Sequence, residues 1–121
     1  MAKILIVEDE KLLVEMYRDK FLKEGFDVVL AYSAEEGIEA ALEEKPDLIL
    51  LDILLPRENG LGFLAKLRKH PETASIRVVA FSNYDDAVTK KEAMQFGAKE
   101  YLIKTNYTPQ EVVDKVKKYL Q

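Results

Sequence analysis

Charged and hydroxyl side chains stand where short apolar runs end. Glu8 and Asp9 follow Ile4 to Val7, and Asp52 follows Leu48 to Leu51. Ser82 follows Val78 to Phe81, and Lys104 follows Tyr101 to Ile103. If these runs are parallel strands of one sheet, all five side chains meet along one edge. Three carboxylates in one pocket repel and do not all stay ionised unaided. A hard divalent cation resolves the conflict. Mg²⁺ takes one or two carboxylates, keeps several waters and bridges to phosphoryl oxygens. A hydroxyl and an ammonium aimed at such a centre suit a bound phosphoryl group. Each residue also has a plainer reading. The acids could complement helix N-termini, Ser82 could belong to a Ser82-Asn83 turn, and Lys104 could be a solvated surface lysine. Their common position at strand ends in one sheet favours a site.

The elements that must deliver these groups alternate along the chain. The apolar runs Ile4 to Val7, Val28 to Ala31, Leu48 to Leu51, Val78 to Phe81 and Tyr101 to Ile103 are nearly continuous. Such runs suit strands buried on both faces, as in a parallel sheet. Helical patterns lie between them. Leu13, Met16, Tyr17 and Phe21 share one face, with Gly25 as a C-cap. Ser33 and Glu36 form a capping box for a helix carrying Ala34, Ile38, Ala41 and Leu42, and Pro46 lies beyond its end. Gly60 to Lys69 predicts a third helix, with Phe63, Leu64 and Leu67 inward, and Asp85 to Phe96 a fourth, closed by Gly97. Thr108, Pro109 and Glu111 open a fifth with Val112, Val113, Val116 and Leu120 as its apolar stripe. The pattern is (βα)5, and right-handed crossovers then give an α/β three-layer sandwich around a parallel sheet. A half-Rossmann order would want a glycine-rich loop after the first strand, where this chain has Glu8-Asp9-Glu10-Lys11. The flavodoxin-like order 2-1-3-4-5 follows. Its topological switch point lies between strands 1 and 3, where Glu8, Asp9 and Asp52 stand.

Composition narrows the alternatives. The 121 residues are 48% hydrophobic and 33% charged, enough for one domain with a core. Eighteen Lys and Arg against 22 Asp and Glu give a net charge of -4, which argues against direct nucleic-acid binding. Cysteine is absent, which excludes a disulfide scaffold, a zinc finger and a cysteine nucleophile. No apolar run approaches the roughly 18 residues of a membrane span. Met1-Ala2-Lys3 and the four apolar residues after it are too short for a signal peptide. The expected location is cytoplasmic.

The chain resembles the receiver domains of two-component response regulators, in the stand-alone, chemotaxis-regulator-like form. The resemblance rests on Ile-Leu-Ile-Val-Glu-Asp-Glu at 4–10, Leu-Leu-Asp-Ile-Leu-Leu-Pro at 50–56 with Gly60, Val-Val-Ala-Phe-Ser at 78–82, and Gly-Ala-Lys-Glu-Tyr-Leu-Ile-Lys at 97–104. It implies that Asp52 accepts a phosphoryl group from a phosphohistidine on a sensor histidine kinase or a histidine phosphotransfer protein. It further implies that Asp9, Asp52 and the main-chain carbonyl of Leu54 bind Mg²⁺ (or Mn²⁺), with Glu8 acting through a metal-bound water. Lys104 would pair with the phosphoryl group, Ser82 would hydrogen-bond it, and Tyr101 would be the aromatic switch whose ring turns inward. The chain would then be a phosphoprotein signalling switch that controls a protein partner through its fourth helix, fifth strand and fifth helix. It would be no turnover enzyme, catalysing only its own phosphorylation and dephosphorylation. Residues 1–121 read as a single receiver domain without an output domain.

Four features depart from the family pattern. Thr105 replaces the proline that usually follows the lysine in a cis peptide, and Asn83 replaces a very small residue that leaves access to Asp52 open. Ser82 replaces the commoner threonine, and Leu54 and Tyr84 occupy positions that tune the phosphate lifetime. A cis bond before a residue other than proline costs about 2.5–4 kcal/mol. Lysine has enough side-chain freedom to reach Asp52 from a trans backbone, so a trans Lys104–Thr105 peptide is expected, with a looser Asn106-Tyr107 loop than in relatives with proline. The competing reading is a receiver-like docking module that works without phosphate. A haloacid-dehalogenase-type phosphatase would want a second acid where Leu54 stands, and the lone His70, before Pro71, reads as a loop residue rather than a phosphohistidine.

Overall fold

The computed structural model describes residues 2–55, 57–83 and 85–120; the expectations for Pro56 and Tyr84 lie outside these. The elements in chain order are β1 (Lys3–Val7), α1 (Lys11–Lys23), β2 (Asp27–Ala31), α2 (Ala34–Glu44), β3 (Leu48–Asp52), α3 (Gly60–Lys69), β4 (Arg77–Ser82), α4 (Ala87–Gln95), β5 (Glu100–Ile103) and α5 (Pro109–Lys118). The strands form one five-stranded sheet in the order β2-β1-β3-β4-β5. Every pairing is parallel. This is the flavodoxin-like arrangement expected from the pattern.

The continuous apolar runs have the expected cause. Ile4 and Ile6 face one core with Val14, Tyr17 and Phe21 of α1 and Val112, Val113 and Val116 of α5. Leu5 and Val7 face the other, with Ala34 and Ala41 of α2, Phe63, Leu64 and Leu67 of α3, and Ala93 of α4. A strand covered on both faces has no solvent side to alternate with, so it reads as unbroken hydrophobicity.

Helix ends follow local hydrogen-bond chemistry. Ser33 Oγ accepts from the Glu36 N–H at 3.2 Å, but the Glu36 carboxylate reaches past the cap to the Tyr32 N–H at 3.3 Å, so the reciprocal bond lands one residue earlier than expected. Thr108 and Glu111 form the complete box, with bonds of 2.8 and 3.2 Å. The fourth helix starts later than the Asp85 expected. The Asp86 carboxylate accepts from the Thr89 N–H and hydroxyl at 2.9 and 2.7 Å, and its extended backbone makes it the cap rather than the first turn. Gly25 and Gly97, just past α1 and α4, take positive φ of 91° and 85°, the left-handed exit that favours glycine.

The Lys104–Thr105 peptide is trans, as every described peptide bond is. Residues Lys104–Asn106 form a 3₁₀ turn rather than the loose loop expected. Tyr107 anchors that turn by packing on the α1–α5 core, with the Lys115 ammonium 5.3 Å from its ring centre. No helix among the described residues is long and apolar enough to cross a membrane.

Candidate functional site

The C-terminal ends of β1, β3, β4 and β5 lie side by side, and the charged residues gather there. Glu8, Asp9 and Asp52 each offer an oxygen, all within 4.8 Å of one another. Glu8 is 0% exposed and Asp52 is 4% exposed, while Asp9 opens to solvent. Lys104 reaches in from the 3₁₀ turn. Its ammonium donates to Glu8 Oε1 at 2.6 Å and lies 3.5 Å from Asp52 Oδ2. The lysine sits closer to Glu8 than to Asp52, the residue it was expected to serve.

Main-chain groups hold the acids in place. Asp52 Oδ1 accepts from the Leu54 N–H at 3.1 Å, and Glu8 Oε2 accepts from the Asp9 N–H at 3.0 Å. The start of α3 closes against the end of β3, where the Gly60 N–H donates to the Ile53 carbonyl at 2.7 Å. A Cβ on Gly60 would lie 2.7 Å from Ile53 Cα and 2.8 Å from the Asp52 carbonyl oxygen. Only a residue without a side chain allows this approach.

The electrostatics reflect crowding. Burial pushes the Glu8 carboxyl up to about 7, and its hydrogen bond with Asp52 acts in the same direction, while Lys104 pulls back. Asp9 is also raised, first by partial burial and then by Glu8. Burial pulls Lys104 down, but the hydrogen bond to Glu8 and the charge of Asp52 outweigh it and the net shift is upward. One ammonium thus faces three carboxylates. Each carboxylate is a hard oxygen donor, and the two buried ones are held by main-chain and lysine contacts. This set fits a hard divalent cation.

Ser82 ends β4 fully buried, and Tyr101 on β5 is 7% exposed. Burial raises the Tyr101 phenol and a hydrogen bond with the Ser82 side chain opposes the rise. The ring was expected to turn inward on switching, but it is already inward in this structure. Leu54 is 51% exposed beside the acids. Asn83 and Thr105 are exposed, and His70 ends α3 at the surface, away from this edge of the sheet.

Phe81 was not anticipated. It pairs in register with Asp52 on β3 and with Leu102 on β5. Its ring centre lies 4.7 Å from the Lys104 ammonium. Its position in the row beside Asp52 was readable once strand order was known, but the lysine's approach from residue 104 was not.

The comparisons with known proteins agree with this architecture. The response regulator receiver domain family matches residues 4–117. A CheY-like response regulator receiver domain protein from Methanospirillum hungatei shares 27% identity over 99% of this chain and 94% of its own, with a TM-score of 0.91. A two-component response regulator from Clostridium difficile shares 28% identity over 99% and 96%, with a TM-score of 0.90. The chemotaxis response regulator CheY4 of Vibrio cholerae, at 22% identity, 98% coverage of each chain and a TM-score of 0.89, shares the fold. With the family matched over nearly its whole length, this chain belongs to the response regulator receiver domains of two-component systems.

Proposed function

We propose that the chain is a phosphorylation-driven switch, with Asp52 as the phosphoacceptor and a sensor histidine kinase or histidine phosphotransfer protein as the donor. The observation that supports this best is the convergence of Glu8, Asp9, Asp52 and Lys104 at the switch point of the sheet. An Asp52 carboxylate oxygen attacks phosphorus, the new O–P bond forms as the donor's N–P bond breaks, and the leaving imidazole takes up a proton. The product is an acyl phosphate on Asp52. Asp9, Asp52 and the Leu54 carbonyl would hold Mg²⁺ (or Mn²⁺), with Glu8 behind a bound water. When bound, the ion supplies charge neutralisation for the transferring group. The residues of the chain itself align the acceptor and balance charge. The Leu54 N–H fixes the Asp52 rotamer, and the Lys104 ammonium moves its contact from Glu8 toward the incoming phosphoryl oxygens.

The Ser82 hydroxyl is the link to the surface. It is engaged with Tyr101 in this structure. A phosphoryl group on Asp52 offers it a charged acceptor, a stronger hydrogen bond than a neutral one. Drawing the hydroxyl away changes what holds the Tyr101 ring, and so biases the α4–β5–α5 face seen by a protein target. In this reading the chain turns over only its own phosphate.

Transfer of labelled phosphate from a small phosphodonor in Mg²⁺ tests the proposal. Wild type should take label, Asp52→Asn should not, and a chelator should abolish transfer. Wild type that takes no label from a small donor or from a phosphohistidine protein would instead support a phosphate-independent docking module.

A further inference from the structure

We infer that Phe81 is a positioning residue for Lys104, its ring face holding the ammonium against Glu8 and Asp52. The inference deepens the phosphoacceptor reading and rests on it for its kinetic consequence. Lys104 has a long flexible stem, and the residue after it, Thr105, is exposed. Something else must select one of the many lysine rotamers. The ammonium donates to Glu8 at 2.6 Å and forms a longer ion pair with Asp52 at 3.5 Å. The ammonium also stands 4.7 Å from the Phe81 ring centre, well inside the distance at which a ring face attracts a cation. The lysine side chain is only 14% exposed, so water competes little for that contact.

The ring itself cannot drift. Phe81 is fully buried, and Tyr17 of α1 packs against it as a T-shaped pair at 5.7 Å and 87°. Register with Asp52 fixes its height along the sheet. A rigid aromatic face beside the acceptor thus selects among the side-chain rotamers that the 3₁₀ turn, which holds only the backbone of Lys104, leaves open. It also links α1 to the site through Tyr17.

A fluorinated series at position 81 separates this role from simple core filling. Site-specific incorporation of mono-, di- and trifluorophenylalanine keeps ring shape nearly constant while weakening the negative ring face stepwise. Phe81→Leu removes the face altogether. Two readouts apply: the kcat and KM of labelling by a small phosphodonor in Mg²⁺, and the ring-current shift of the Lys104 ε-methylene protons in metal-free protein. We expect kcat to fall steadily along the series, by about three- to tenfold at its end, with KM little changed. The upfield shift of Lys104 should shrink in parallel. A flat kcat and a flat Lys104 shift across the fluorinated proteins would overturn the inference, even if Phe81→Leu unfolds. If wild type takes no label, the phosphoacceptor reading fails. The Lys104 shift then still decides whether Phe81 holds the ammonium.

Discussion

Replacing Glu8 by glutamine removes one titrating proton from the acid pocket and leaves its shape nearly unchanged. The new amide can donate to Asp52 as a protonated Glu8 does, and its carbonyl can accept from Lys104 as Oε1 does now, but its nitrogen cannot accept from the Asp9 N–H as Oε2 does, which costs the variant a pH-independent increment. In wild type the Glu8 carboxyl is raised from its ordinary 4.5 to about 7 on folding, chiefly by burial. Between those values the folded chain holds a proton that the unfolded chain has released. Stability from this group is therefore complete below about pH 4.5 and is lost as pH rises through about 7. At about 1.4 kcal/mol per pH unit, the loss amounts to about 3 kcal/mol. Glu8→Gln has no such proton, so whatever constant offset the lost Asp9 contact introduces, the variant should gain on wild type by roughly 2–3 kcal/mol between pH 5 and pH 8. Urea unfolding with a chelator present measures this. With an m-value of about 2 kcal/mol/M, the difference between the two midpoints should change by more than about 1 M from pH 5 to pH 8. If wild type and Glu8→Gln lose stability in parallel across this window, the buried carboxyl is not the titrating group and the crowding argument fails.

Other outcomes follow from the same geometry. Asp9→Asn should weaken Mg²⁺ binding at least tenfold in a metal titration, because the acid would contact the ion directly; equal affinity would remove Asp9 from the ligand set. Asp52→Asn should melt higher than wild type without metal at about pH 8. At an effective dielectric of about 20, repulsion from Glu8, whose oxygen lies within 4.8 Å, amounts to about 3.5 kcal/mol or more and attraction to Lys104 across 3.5 Å to about 4.7. The exposed Asp9 adds a weaker repulsion, and release from burying the Asp52 charge tips the balance toward a gain of about 1 kcal/mol, or about 4 °C. Saturating Mg²⁺ should narrow that gap by stabilising folded wild type. Gly60→Ala should destabilise by about 1–3 kcal/mol and slow labelling of Asp52, because its Cβ meets the main chain of Asp52 and Ile53; a neutral result in both melting and labelling would show that α3 can shift freely.

The fold was legible because both faces of the sheet are covered, so each strand announced itself as an unbroken apolar run. The absence of glycine after β1 then selected the strand order. The site was legible because its charged groups interrupt those runs at their ends. Other features arise from approaches in space that spacing does not encode. The Lys104–Glu8 bond joins residues 96 positions apart. The Phe81 contact depends on how the 3₁₀ turn aims a side chain. The start of α4 was misjudged because Asp85 and Asp86 are equivalent as letters, and only the bonds to Thr89 distinguish them. The Arg68 guanidinium, which ties the α4–β5 loop to the start of β4 through the carbonyls of Phe96, Ala74 and Ile76, left no trace in any periodicity.

Chain order also sets an order of charge. Glu8, Asp9 and Asp52 all come from the first three strands, whereas Lys104 arrives only with β5, a four-residue strand at the rim of the sheet that pairs on one side alone. Any excursion that detaches β5 withdraws the one ammonium from three crowded carboxylates. The rim strand is therefore fastened partly by charge it does not itself carry. Its opening grows harder as those carboxylates ionise, because more attraction must be surrendered. A cation or a protonated Glu8 takes over part of that role and loosens the requirement. Amide exchange at Leu102 and Ile103 thus becomes a gauge of the electrical state of a pocket assembled half the chain away.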